Sequence, residues 1–236
     1  STQKTAQHAR QERAIGTQFT LNTVSMSPPQ PSPHSPPSAF ASAGVLCLLI
    51  MLVHIAISGG RVAVTLTALE LGRSTLEVGV LIAVFALLPM LCSVQAGRLI
   101  DAIGPYKPMR ASAVMVIVGA FVPFVWQSLP SLMIAAVLIG SGHMTFQIAV
   151  QRQMGQSVGD DRLRNFSWLS LSMATSGLVG PLVAGISIDH LGHRTVFALL
   201  ALSPILCFAG VMYMKRYLVT SHIKAPVSEV KRSVTD

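Results

Sequence analysis

The chain has 236 residues, of which 51% are apolar and only 11% charged, and its mean hydropathy is +0.60. A soluble domain carries about 25% charged residues, so this composition excludes an ordinary water-facing globule. The net charge of +8 would suit nucleic acid only with a clustered basic face, and the 17 Lys and Arg are scattered between apolar runs instead.

Residues 1–40 differ from the rest. They are polar, with no apolar signal-peptide core at the start. They also contain SPPQPSPHSPP, residues 27–37, whose prolines disfavour helix and favour extended, solvated chain. A disordered cytoplasmic tail is the expectation, ahead of a ligand for a proline-binding partner.

A membrane helix needs about 20 mostly apolar residues. Six stretches qualify: Ala41–Leu69, Leu76–Ala96, Ala111–Gln127, Leu132–Gln151, Phe166–Ile188 and Thr195–Met214. The expected fold is an all-α membrane protein with a six-helix domain over 41–214. Residues 215–236 then form a basic cytoplasmic tail or the start of a linker. Short connections make successive helices antiparallel neighbours. With the N-terminus inside, fourteen Lys and Arg fall on inner segments, only Arg73 and Arg194 on outer loops, and Arg61 within the membrane. This positive-inside bias places both termini in the cytoplasm, with a bacterial plasma (inner) membrane as the expected location.

Cys47, Cys92 and Cys207 lie far apart in apolar runs, with no metal-ligand spacing. They read as buried thiols. No metal and no bound cofactor is expected.

The turn between the second and third helices reads GRLIDAIGPYKPMR, residues 97–110. Lys107 and Arg110 suit the inner face. Asp101 is not explained by that bias, to which acids contribute little. It lies four residues after Gly97 on one helix face, where a glycine would let a neighbouring helix approach and the carboxylate could meet a donor or a helix N-terminus there. Gly104 suits a helix C-cap, with Pro105 preventing continuation. Gly97, Leu99, Asp101, Gly104 and Lys107 resemble the loop signature of the major facilitator superfamily, G-x-L-x-D-x-x-G-x-x-K/R. The resemblance implies half of a twelve-helix fold, with Gly97, Asp101, Gly104, Lys107 and Arg110 as a gating motif. Ala102 and Pro105 depart from it at commonly basic positions, so the latch would be weaker or would use Lys107 and Arg110.

GISIDHLGHR, residues 185–194, repeats the Gly-x3-Asp-x2-Gly frame 88 residues later, after the fifth helix and on the opposite face. Two inverted three-helix repeats would produce this pattern. In GLVGPLVAG, residues 177–185, small residues recur at helical spacing, which permits close packing, and Pro181, next to Gly180, would kink the helix. This is similar to the superfamily's helix-5 Gly-Pro motif, and a packing kink and an exchange role both remain open. In helix 4, Ala136 stands where the family carries an arginine before Gly140-x-Gly142.

Ionisable groups in a span are costly and face a cavity or a partner. His54, Ser58, Arg61 and Thr65 form one stripe at helical spacing, and so do His143, Gln147 and Gln151. His54, Arg61, His143 and Gln147 are the candidate pathway residues, and the resemblance implies that helices 1 and 4 line the cavity. Arg61 could equally snorkel to the surface, and His54 could equally make an interhelical hydrogen bond. Gln151 and Arg152 read as interfacial.

These readings favour secondary active transport of a small solute by a non-enzyme in contact with membrane lipid. No GxxxxGK[ST] loop is present, so a gradient would drive it, and proton coupling is suggested by His54 and Asp101. An intramembrane serine protease is disfavoured: Ser141 and His143 are two apart on one helix and do not face each other. A non-transporting six-helix scaffold or receptor is the alternative, and it would leave the turn motif unexplained. Six helices are half the family's number and the cavity needs a second half, so a truncated sequence is expected ahead of a half-sized protein with a homodimer partner or a remnant without function.

Overall fold

The computed structural model describes residues 37–156 and 160–215. The Pro-rich tail and the basic tail or linker expected at the two ends therefore lie outside the described residues, apart from 37–40 and Lys215. Residues 37–40 are already helical, which moves the start of the first helix earlier than expected. Proline is tolerated in a first helical turn, where its missing N–H removes no bond.

The described chain is helical and contains five elements: α1 (Pro37–Glu70), α2 (Thr75–Ile103), α3 (Tyr106–Val125), α4 (Leu129–Gly155) and α5 (Asp160–Tyr213). Each includes a stretch long and apolar enough to cross a membrane. The fifth and sixth stretches expected from the sequence both fall in α5, 54 residues in which two helices meet at a kink. It contains one non-helical residue, Gly192, at φ 83° and ψ 166°.

Local chemistry sets the boundaries. Ser74 caps α2: its hydroxyl accepts from the Glu77 amide at 3.3 Å, and the Glu77 carboxylate accepts from the Ser74 amide at 2.8 Å. This reciprocal capping box satisfies two otherwise orphaned donors. The helix then runs beyond its expected end at Ala96, so Gly97 and Asp101 are helical. It stops at Gly104 (φ 79°, ψ 167°), whose N–H still donates to the Ile100 carbonyl at 3.0 Å. Backbone of this kind is open essentially to glycine alone. Pro105 then opens α3 at once, five residues ahead of the expected start at Ala111. Ser128 and Ser131 form the corresponding box at the start of α4.

Contacts between helix ends give the up-and-down order. At one end, Arg152 near the end of α4 pairs with Asp101 near the end of α2, and the Tyr106 hydroxyl at the start of α3 donates to Met212 Sδ near the end of α5 at 3.2 Å. At the other end, Arg194, just past the Gly192 break, donates to the Phe124 and Val125 carbonyls closing α3 at 2.7 and 3.4 Å. There too His193 meets Glu70 at the end of α1 at 3.2 Å.

Close helix approach depends on missing side chains. A Cβ on Gly180 of α5 would lie 2.7 Å from the Gly59 nitrogen and 2.9 Å from the Ile55 carbonyl oxygen of α1. In α4, a Cβ on Gly140 would lie 2.7 Å from the Phe85 carbonyl oxygen of α2, and one on Gly142 2.8 Å from the Ser112 carbonyl oxygen of α3. Small residues let helix backbones meet in this way where lipid offers no hydrophobic drive for association. In α5 the backbone leaves helical angles at Gly192, while Pro181 lies within helical backbone.

Candidate functional site

The interior is lined by Leu, Ile, Val and Phe, yet one polar cluster joins α1, α4 and α5. His54 Nδ1 and Ser176 Oγ are 2.8 Å apart. Ser58 Oγ donates to the Ser176 carbonyl at 2.9 Å and to its own helix at His54 O, 2.8 Å. The His54 and His143 rings lie 5.1 Å apart at 58°. His143 is 8% exposed, and its Nε2 is buried with no hydrogen-bond partner among the described residues. An unmade bond on a buried polar group costs about 1–3 kcal/mol, so this nitrogen calls for a functional explanation.

The same glycines that bring the helices together build the cluster. Gly180 lies one turn beyond Ser176 and lets α5 reach Ser58. Gly140 and Gly142 seat α4 between α2 and α3 immediately before His143.

The sequence-derived pathway residues separate into two groups. His54 and His143 touch. Gln147 is half-buried against α5, with Nε2 3.9 Å from Met173 Sδ. Arg61 is exposed along α1, and its guanidinium lies over the Phe85 ring, 5.9 Å from the centroid. Ser176 is fully buried, and the sequence reading missed it. The signal was weak, because a serine in an apolar helix usually bonds its own i−4 carbonyl. Ser176 does that too, at 2.8 Å to Ser172 O.

The turn motif also resolves differently. Asp101 pairs with Arg152, whose Nη1 donates to the Gly97 carbonyl at 3.3 Å as well. Arg152 had been read as merely interfacial. Among the described residues neither Lys107 nor Arg110 pairs with Asp101; both are exposed, and Arg110 sits 5.9 Å from the Tyr106 ring centroid. Gly97 admits no close helix, since nothing lies within 4 Å of where its Cβ would be. Its contact with α4 is through its backbone carbonyl. Gly104 caps α2 as expected.

The Ser176–His54 contact has the spacing of a nucleophile and its base. The Ser176 hydroxyl, however, also donates to the Ser172 and Met173 carbonyls of its own helix at 2.8 and 3.0 Å, so its proton is not committed to His54 as a nucleophile's would be. A shallow groove of about 420 Å³ on α5 is lined by Leu163, Arg164, Ser167, Trp168 and Leu171. It runs along one helix, apart from the histidines.

The family model described as Major Facilitator Superfamily matches residues 37–236. No curated protein sequence matches the chain. Among solved structures, a POT family transporter in complex with 5-aminolevulinic acid is 17% identical with a TM-score of 0.70, over 77% of this chain and 39% of that one. A mutant of the peptide transporter POT with alafosfalin is 16% identical with a TM-score of 0.69, over 81% of this chain and 41% of that one. The peptide transporter POT in complex with sulfate is 16% identical with a TM-score of 0.65, over 75% and 38%. At these identities the likeness is one of fold. The chain spans about two fifths of the length of these structures.

Proposed function

The chain belongs to the major facilitator superfamily, and from that premise we propose that it carries a small solute across a membrane by alternating access. The reading includes a second six-helix half, on a longer chain or on a second copy, which closes the pathway opposite α1 and α4. The short span relative to the matching transporters supports this. Transport driven by a gradient, with proton coupling through His54 and His143, completes the proposal. The small polar ligands of the solved transporters, 5-aminolevulinic acid and sulfate among them, favour a small cargo.

Six crossings are part of the same proposal. A 54-residue element is about 80 Å long at 1.5 Å per residue, while the hydrocarbon core is about 30 Å thick. The break at Gly192 divides α5 into two crossings. Gly104 and Gly192, 88 residues apart, share nearly the same backbone angles (79°, 167° and 83°, 166°). That supports two inverted three-helix repeats, each with the turn motif after its second helix. The positive-inside bias supports cytoplasmic termini.

The observation that carries the transport reading is the buried cluster of His54, Ser176 and His143. Polar groups at this depth are costly and mark solute or proton paths. The test is flux of a solute panel into proteoliposomes holding the full-length protein, with and without a protonophore. Saturable uptake of at least one solute is expected, reduced at least tenfold in His143→Leu. No flux above empty liposomes for any solute would overturn the reading. Flux indifferent to the proton gradient would remove the proton coupling alone.

A further inference from the structure

We infer that the pathway face of this half accepts an oxyanion on its cargo, a carboxylate or a phosphate, with Arg61 as the counter-charge and His143 as a second contact. This rests on the transport reading above and names its substrate class.

The charge inventory carries it. Across residues 43–69, 78–97, 111–151, 165–188 and 195–214, the only Asp, Glu, Lys or Arg is Arg61. Among the described acids, Asp189 also lies outside these stretches, as do Glu70, Glu77, Asp101 and Asp161, each of which faces a cation or an imidazole already. Arg61 has no carboxylate partner among the described residues. A charge inside a span faces a partner or a polar cavity. The Phe85 ring, 5.9 Å away, answers the charge in part through its negative face, but it offers no acceptors for five N–H donors.

Arg61 lies seven positions after His54, on the same helical face. His54 abuts His143, whose buried Nε2 is the other unanswered polar group here. One fork-shaped cation and one orphaned ring nitrogen therefore stand on the same side of the bundle. An oxyanion supplies acceptors to both: the guanidinium fork matches carboxylate or phosphate in a two-bond arrangement, and His143 as the Nε2–H tautomer donates to a further oxygen. A cationic cargo would add like charge beside Arg61, and a neutral apolar cargo would leave both groups unmet.

The test is equilibrium binding to the purified full-length protein, read by calorimetry and by ligand-induced shift of the melting temperature. The probes are succinate, inorganic phosphate, the neutral succinamide and the cationic putrescine. Succinate or phosphate should bind, and whichever does identifies the oxyanion. Succinamide and putrescine should bind at least tenfold more weakly. Arg61→Gln should weaken anion binding at least tenfold, and Arg61→Lys by less, because the charge remains while the fork is lost. Anion affinity unchanged in Arg61→Gln, equal binding of succinamide, or no anion binding to the wild type each overturns the inference. If Arg61→Gln does not fold, the wild-type order of the four probes decides. Binding needs no transport cycle, so anion binding without flux would sink the transport reading alone. Flux of neutral solutes without anion binding would sink only this one.

Discussion

Arg152 at the end of α4 holds α2 by two of its groups at once, the Asp101 carboxylate and the Gly97 carbonyl. Both partners in the ion pair are partly exposed, at 42% and 57% of their side chains. Exposed pairs contribute about 0–1 kcal/mol to stability. Asp101→Asn should therefore insert and melt almost like the wild type while its cycling is impaired. Arg152→Gln should do the same, and the exchange Asp101→Arg with Arg152→Asp should restore part of the rate. Flux in a full-length context measures this; wild-type flux in both single variants would show the pair to be idle.

His143 offers a trade between stability and activity. Its unpartnered Nε2 is the kind of group whose replacement by an apolar one can be neutral or stabilising. His143→Leu should melt at or above the wild-type temperature while its flux falls at least tenfold. A drop in stability of more than about 1 kcal/mol, beyond the usual range for a well-tolerated swap, would instead assign the ring to packing.

Two of the three positive-φ glycines among the described residues make a paired prediction. Gly104→Ala and Gly192→Ala both place a Cβ in backbone that only glycine adopts freely, at φ 79° and 83°. Each should destabilise by about 1–3 kcal/mol, and by similar amounts if the two turns are equivalent. Thermal unfolding in detergent compares them; strongly unequal losses would argue against the repeat.

Gly180→Ala should cost about 1–3 kcal/mol, the range for overpacking a tight contact, because its Cβ would strike α1 backbone 2.7 Å away. Gly185→Ala, with nothing within 4 Å, is the control and should be close to neutral. Equal melting of the two variants would mean that α1 and α5 do not meet as closely as described.

The spans and the Gly104 cap were legible because apolar run length and the Gly-Pro pair are local signals. The capping box at Ser74 and Glu77 was equally local, yet it lies before the second apolar run, where hydropathy alone drew the boundary. What stayed hidden was pairing across the bundle. Nothing within the neighbourhood of Arg152 in sequence points to Asp101, 51 positions earlier. Ser176 is one of several serines in α5, and only packing shows which of them faces His54. Gly97 was assigned a role in packing on spacing that fits its carbonyl contact equally well. The division of α5 was local again, since the polar run DHLGHR, residues 189–194, separates its two apolar stretches and holds the Gly192 break.

The seam between Gly59 and Gly180 has a mechanical consequence. Two backbones in direct contact, with only the Ser58 hydroxyl and the end of Leu200 at the seam, leave a thin layer in which one helix could slide past the other. α1 and the part of α5 before Gly192 are therefore expected to travel together. Any rearrangement of this half is displaced to its rims, where Arg152 holds α2 at one end and Arg194 holds α3 at the other.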